Sequence, residues 1–153
     1  MPMEIDGDIV SDPNPRVSVI ILTYNGIKLL QQCLPSVLAS TYSNVEIIVA
    51  DNASNDGSAD WIASTYPAVV VVRHPENLLF CAGNNRAVDH ASGEYIVLLN
   101  NDVEVEPSWI EPLVDCLESD STIGAVQPKL LQYQDRSKFE YAGGAGGHID
   151  RYG

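Results

Sequence analysis

Basic residues are scarce in this chain. Eight Lys and Arg stand against 21 Asp and Glu, for a formal net charge of −13. That deficit argues against a nucleic-acid surface, which has to neutralise many phosphates, and against docking on anionic lipid. An anionic ligand gains nothing from the overall field, so a metal ion, a helix N-terminus or a local cation must hold it. Cysteine is sparse too. Cys33, Cys81 and Cys116 lie far apart among apolar neighbours, with no C-x-x-C. They read as buried, reduced thiols of a cytosolic protein. No apolar run approaches the ~18 residues of a transmembrane helix. Met1 to Pro15 has neither the basic start nor the apolar core of a signal peptide. Acidic and rich in Pro, residues 1–15 read as a mobile arm.

Several ligand-binding signatures are also missing. After the first β-like run, Thr23-Tyr24-Asn25-Gly26 offers one Gly where G-x-G-x-x-G needs three. Gly144-Ala145-Gly146 has no third Gly at the required spacing and no helix after it. The phosphate loop G-x-x-x-x-G-K-[ST], zinc spacing of His and Cys, and the G-x-S-x-G elbow are absent. Dinucleotide, P-loop, zinc and serine-hydrolase chemistry are therefore set aside. His74, His90 and His148 have no partners at ligand spacing and read as structural.

What is present suits one domain of 153 residues, 45% of them hydrophobic. Val17 to Thr23 is a β-branched run and predicts the first strand. Ile27, Leu30, Cys33, Leu34, Val37 and Leu38 recur at helical spacing, with Pro35 expected to bend or restart the helix. Val45 to Ala50 predicts a second strand ending on Asp51. A polar loop follows, in which Asp56 and Ser58 read as caps of a short helix bearing Trp61, Ile62 and Tyr66. Val69 to Val72 predicts a third strand. A helix over Cys81 to Ala91 is closed by Gly93. The run Tyr95 to Leu99 predicts a fourth strand buried on both faces. Glu106-Pro107 opens the next helix. Ile123 to Gln127 predicts a fifth short strand, with short strands again at 129–133 and 139–141. Trp61 and Trp109 sit at core spacing.

The order βαβαβαβαβ implies a Rossmann-like α/β domain, a mostly parallel sheet with helices on both faces, over residues 16–142. Residues 143–153 read as a Gly-rich tail leading into a longer protein. In a parallel sheet the carboxyl ends of the strands share one edge, where ligands bind. Here those ends carry Thr23-Tyr24-Asn25, Asp51-Asn52, Arg73-His74 and Asn100-Asn101-Asp102. With the rival motifs gone, the chemistry left is a hard-cation site of oxygen ligands at Asp102 and Asn100. Such sites hold Mg2+ or Mn2+ through one or two carboxylates plus substrate phosphates.

Four motifs in series now carry a resemblance: Val19 to Gly26, Glu46 to Ser58, Gly83 to Ala87, and Gly93 to Asp102. In order and spacing, over about residues 17–145, the chain resembles family 2 glycosyltransferases, and within them the rhamnosyltransferase-like group. The resemblance implies the A-type glycosyltransferase fold and a nucleoside-diphosphate sugar donor. It also implies a divalent metal, Mg2+ or Mn2+, and inverting transfer to a glycan or lipid-linked acceptor. That is work for polysaccharide biosynthesis in the cytoplasm or at the inner face of the membrane. Carried over by position, Thr23, Tyr24 and Asn25 line the nucleotide. Asp51 accepts a hydrogen bond from the base, and Arg86 sits near the nucleotide or its phosphates. Asn100-Asn101-Asp102 fills the Asp-X-Asp position, with Asp102 on the metal.

Two departures stand out. The family often has Gly where Leu79 stands, and Leu does not cheaply take a positive φ, so this loop is expected to run differently. The Asp-X-Asp position begins with Asn, which leaves one carboxylate and weak metal affinity without substrate. Asp102 does not double as general base, because metal coordination lowers its basicity. The base is expected downstream of residue 153, so the chain alone is expected to bind donor and transfer sugar poorly or not at all.

Plainer readings stay open beside these. Asp51 reads as a base-binding carboxylate or as a loop cap. Arg86 reads as a donor contact or a surface cation, and Tyr24 as a stacking ring or a cover for the sheet edge. Glu104, alternating with valines, reads as part of a solvated face. For the whole chain the alternative is a non-catalytic doubly wound binding module. A sugar-phosphate nucleotidyltransferase would want a Gly-rich basic loop after the first strand, which Thr23 to Lys28 lacks. A sheet edge left open makes a homo-oligomer a further expectation.

Overall fold

The β-branched runs and the helical repeats form the elements β1 (Val17–Thr23), α1 (Ile27–Leu38), β2 (Val45–Asp51), α2 (Ser58–Thr65), β3 (Val70–Arg73), α3 (Leu79–Val88), β4 (Tyr95–Leu99) and α4 (Glu111–Ser119). The computed structural model of the chain describes residues 14–140. The expected arm up to residue 13 and the Gly-rich tail lie outside them. The expected arm ends sooner than residue 15, because Pro15 is buried and the Asn14 carbonyl accepts from Asn44 Nδ2 at 2.8 Å. The chain divides into two compact units, one of Met1–Tyr24 with Ser43–Leu99, the other of Asn25–Tyr42 with Asn100–Gly153.

The first unit holds the sheet. All its strands are parallel, in the order β3-β2-β1-β4. The doubly wound order expected from sequence is therefore present through β4. Register pairs Ile20 with Ile48 and Ala50 with Val72. These residues form a buried cluster with Ala87 of α3, flanked by Leu22 and Ala91. Gly83 lets α3 approach the sheet, since a Cβ there would lie 2.9 Å from Leu22 Cδ1. The alternate side chains Val19, Ile21, Ile47 and Val49 are buried too, which is why β1 and β2 read as continuous apolar runs.

The amino ends of the strands are tied by one carboxylate. Glu46 Oε1 accepts from Ser18 Oγ at 2.5 Å, Ser92 N at 2.6 Å and Ser92 Oγ at 2.9 Å, and Arg16 Nη2 donates to Oε2 at 3.1 Å. Gly93 belongs to this corner. Its N–H donates to Ser18 Oγ at 2.8 Å, and a Cβ would fall 2.6 Å from Ser18 N. It does not terminate α3, which ends at Val88 with Asp89 as its cap.

β4 departs from expectation. Ile96 is 40% exposed and Leu98 54% exposed, so the strand is not buried on both faces. It is the outer strand of the sheet, and an apolar run reads the same at an edge as in a centre.

In the second unit, α1 buries Leu30, Cys33, Leu34 and Val37 and runs unbroken through Pro35. Pro35 lies in the last turn and costs the helix one backbone bond, the one its missing N–H would give to Gln31. The Ser36 hydroxyl donates to Cys33 O at 2.8 Å, and Ala39 N closes onto Pro35 O at 3.2 Å. α4 begins at Glu111, later than Glu106-Pro107, with Pro112 in the first turn. The carbonyl of Pro107 instead accepts Thr41 N at 2.8 Å, and Trp109 Nε1 donates to Ser40 Oγ at 2.8 Å. No strand forms over Ile123 to Gln127. The later expected strands reduce to one antiparallel bridge, Leu131 with Phe139. The cysteines are free, but only Cys33 is buried; Cys81 and Cys116 are exposed. Among the described residues no helix is long and apolar enough to cross a membrane.

Candidate functional site

Parallel register aligns the carboxyl ends of three strands, with Thr23 paired to Asp51 and Asp51 to Arg73. The ladder continues one step, Asn52 N donating to Thr23 O and His74 N to Asp51 O, at 2.8 and 2.9 Å. Thr23, Asp51 and Asn52 are all buried. Asp51 is only 5% exposed, yet it is poorly supplied. Its Oδ2 accepts one backbone amide, Ser54 N at 3.2 Å, and its Oδ1 has no partner. The tight turn at Ala53, φ +65, carries the chain away from the strand. Neither Asp56 nor Ser58 is the cap of the next helix: the N-cap is Gly57, without a side-chain bond, Ser58 is the first helical residue, and Asp56 accepts Ser58 N at 3.0 Å and the Ser58 hydroxyl. Asp51 does not cap this helix either, since its one bond is to Ser54 N in the loop.

Asn52 faces a different task. Its Oδ1 accepts Leu78 N at 2.9 Å, and its Nδ2 donates to Asn77 Oδ1 at 2.8 Å and to Leu79 O at 3.3 Å. Asn77 Oδ1 also accepts Leu79 N at 2.9 Å. These bonds hold Leu79 at φ +61. The loop thus takes the left-handed turn that a Leu was expected to avoid, because side-chain amides offset the strain. At the far side of α3's first turn, Asn84 Nδ2 donates to Phe80 O at 2.9 Å. Tyr24, directly after β1, is half exposed. Sequence reasoning named Asn52 only as a polar strand end and gave no role to Asn77 or Asn84. The available signal was Asn77 directly before, and Asn84 shortly after, a Leu-Leu-Phe run that lacks any glycine to make its turn.

Arg86 lies on α3 and lines an open groove of about 440 Å3 along β3, with Arg73, His74, Pro75, Asp89 and His90. Arg73 is committed to Asp60 at 2.6 Å. His74 is buried, with Nε2 3.1 Å from Gly83 O, so that nitrogen carries the proton. His74 is therefore structural, as its lack of partners in sequence suggested.

Asn25, Asn100, Asn101 and Asp102 belong to the second unit. Asn25 has φ +50, a conformation that Asn tolerates. Asn100 follows β4 directly, and its carbonyl accepts the Cys33 thiol at 3.8 Å. Burial pushes that thiol's pKa up to about 11. The Asp102 charge adds to the rise, and a hydrogen bond at Val103 opposes it. Cys33 is thus a neutral thiol packed beside the Asn100–Asp102 turn. Asp102 is exposed. Glu104 pairs with Arg136 at 2.9 Å, and Arg136 also reaches Glu106 at 3.2 Å, so Glu104 is occupied, as a surface carboxylate. No group of three His, Cys, Asp or Glu among the described residues is placed to hold a metal ion. The turn offers one free carboxylate beside two amide side chains. That donor set fits a cation which takes most of its remaining oxygens from a phosphate ligand.

Comparison with known proteins bears on these features. The family model for glycosyl transferase family 2 matches residues 18–145. An uncharacterized glycosyltransferase of Haemophilus influenzae is 31% identical over 73% of this chain and 36% of its own length. A putative glycosyltransferase of Bacillus subtilis is 31% identical over 79% of this chain and 45% of its own. Among solved structures, a mannosyltransferase from Pyrobaculum calidifontis in complex with GDP-Man and Mn2+ matches with a TM-score of 0.72 at 30% identity. That match covers 81% of this chain and 38% of the other. The chain spans less than half the length of each of these proteins.

Proposed function

The chain belongs to glycosyl transferase family 2 and has its A-type fold, and on that premise we propose that it binds the nucleoside-diphosphate sugar donor of an inverting transfer to an acceptor hydroxyl. The observation that carries this reading is Asp51, buried at the carboxyl end of β2 with Oδ1 unpartnered. A buried acceptor without a donor costs folding free energy unless a ligand supplies one. A carboxylate accepts only, so it favours a base edge bearing a ring N–H: uracil, thymine or guanine. Adenine and cytosine present an accepting ring nitrogen there. Thr23, which ends β1, and Tyr24 and Asn25 after it contact the nucleotide, and Arg86 supplies a cation to it in a chain of net negative charge.

The diphosphate falls to the Asn100–Asp102 turn. A bound Mg2+ or Mn2+ would offset the charge that builds on the leaving diphosphate. Asp102 would hold that ion, with Asn100 and Asn101 as neutral donors beside it. The GDP-Man and Mn2+ in complex with the solved mannosyltransferase support both choices. The acceptor is a glycan or a lipid-linked sugar handled in the cytoplasm, at the inner membrane face, in polysaccharide assembly. The rhamnosyltransferase-like cast of the motifs puts a deoxyhexose among the donors to assay. Exposed Ile96 and Leu98 on the outer strand support self-association into a homo-oligomer.

Calorimetry with UDP, dTDP and GDP, each with and without Mn2+, tests the reading, with ADP and CDP as controls. At least one of the first three binds, more tightly with Mn2+, and Asp102→Ala removes the Mn2+ dependence. Failure of every nucleotide to bind would leave the chain a non-catalytic module.

A further inference from the structure

Leu79 holds a left-handed backbone, φ +61, that a branched side chain rarely adopts. The structure works to keep it there. The side-chain bonds of buried Asn52 all go to residues 77–79, and Asn77 adds another to Leu79 N. The two side chains this turn leaves in solvent are both apolar: Leu79 is 74% exposed and Phe80 60%. A clamp of two amides, buried Asn52 and exposed Asn77, that maintains strain in order to expose two large apolar groups has no evident use in folding. It has one in binding. Asp51, the residue before Asn52, carries the bare carboxylate oxygen. A hydrogen-bond acceptor and an apolar surface are therefore fixed from adjacent residues of one strand end. A nucleobase matches that pair, with an N–H on its edge and an apolar face.

We infer that Asn52 is a positioning residue of the donor site, and that Leu79 and Phe80, held by it, form the wall against which the base rests. This rests on the reading of the site as nucleotide-binding and goes beyond it by assigning the apolar contact. Leu79 offers no hydrogen bond, so discrimination among bases stays with Asp51, and Leu79 contributes affinity shared by every base that Asp51 admits.

The test is Leu79→Gly, assayed by calorimetry with UDP, dTDP and GDP and by thermal unfolding. Glycine takes φ +61 without strain, so the melting temperature stays level or rises. Affinity for whichever nucleotide binds falls by roughly tenfold, the share of one aliphatic contact. Asn52→Ala alone lowers both stability and affinity. In the Leu79→Gly background it costs clearly less affinity than alone, because half of the wall that Asn52 holds is already gone and only Phe80 remains; a purely structural asparagine would give additive losses. If the unaltered chain binds a nucleotide and Leu79→Gly binds it equally well, this inference falls and the functional reading stands. If the unaltered chain binds no nucleotide, both fall.

Discussion

Strand β2 carries a carboxylate toward each end, and the two are served very differently. Glu46, near the start, accepts from two hydroxyls and an amide on Oε1 and from Arg16 on Oε2. Asp51, at the finish, has one long bond from Ser54 and an oxygen with none. Both side chains are largely withdrawn from water, at 13% exposure for Glu46 and 5% for the Asp51 residue. Burial alone therefore does not separate them; the supply of donors does. A saturated carboxylate ties strands together, and here it joins β1, β2 and the entry to β4. A starved one destabilises the fold unless a ligand supplies the missing donor. The parallel sheet sorts the two by end, architecture at the amino edge and the proposed recognition at the carboxyl edge.

The sharpest way to break this contrast is to remove each carboxylate in turn. Glu46→Ala leaves the Ser18 and Ser92 donors and Arg16 without their acceptor, and should cost about 2–4 kcal/mol of stability in urea unfolding. Nucleotide affinity of the folded remainder should stay within about twofold, a change of less than ~0.5 kcal/mol. Asp51→Asn reverses the pattern. Stability should hold or rise by about 1–2 kcal/mol, since the amide oxygen can keep the Ser54 bond while the unpartnered charge is removed. Nucleotide affinity should fall about 10- to 100-fold, or ~1.4–2.7 kcal/mol. Equal losses of stability in the two variants, or a loss of binding in folded Glu46→Ala, would erase the distinction between the edges.

Much of this contrast is legible in sequence, and the rest is hidden for physical reasons. β1 and β2 announce themselves as β-branched runs because both of their faces are buried, and Thr23 and Asp51 fall where polar residues interrupt those runs. β4 reads as a strand but also as a central one, which it is not, because hydrophobicity does not reveal which neighbour pairs with which edge. Ile123 to Gln127 has strand composition, but no described strand pairs with it. Helix α4 offers two prolines, Pro107 and Pro112, each acceptable in a first turn, and propensity does not choose between them. Glu46 and Asn52 are invisible as organisers. Their partners Ser18, Ser92, Asn77 and Leu79 lie 25 to 46 residues away in the cited bonds. Only the fold brings them together. Leu79 shows the same limit from the other side. Its local preference argues against a positive φ, and two amides, neighbouring Asn77 and distant Asn52, overrule it.

The smallest effect expected from the comparison concerns pH. Burial works to raise the Glu46 pKa, but the Ser18 hydroxyl, the Ser92 amide and hydroxyl and the Arg16 charge outweigh it. The carboxyl is held below its usual range. A carboxyl whose pKa is lower folded than unfolded binds its proton more readily in the unfolded chain. Its stabilising contribution is fully present above the unfolded value, roughly pH 4.3, and is lost as pH falls through the lower folded value. Glu46→Gln keeps the shape of the side chain and cannot ionise. The other acidic groups are common to both proteins, so they cancel in the difference. The stability gap between the unaltered chain and Glu46→Gln, from urea unfolding at a series of pH values, should be constant near neutrality. It should narrow on acidification below that point. A gap that stays level down to the acid limit of folding would show that the amino-edge bonds do not depend on the ionised carboxylate, and the amino edge would lose its electrostatic share of the contrast with Asp51.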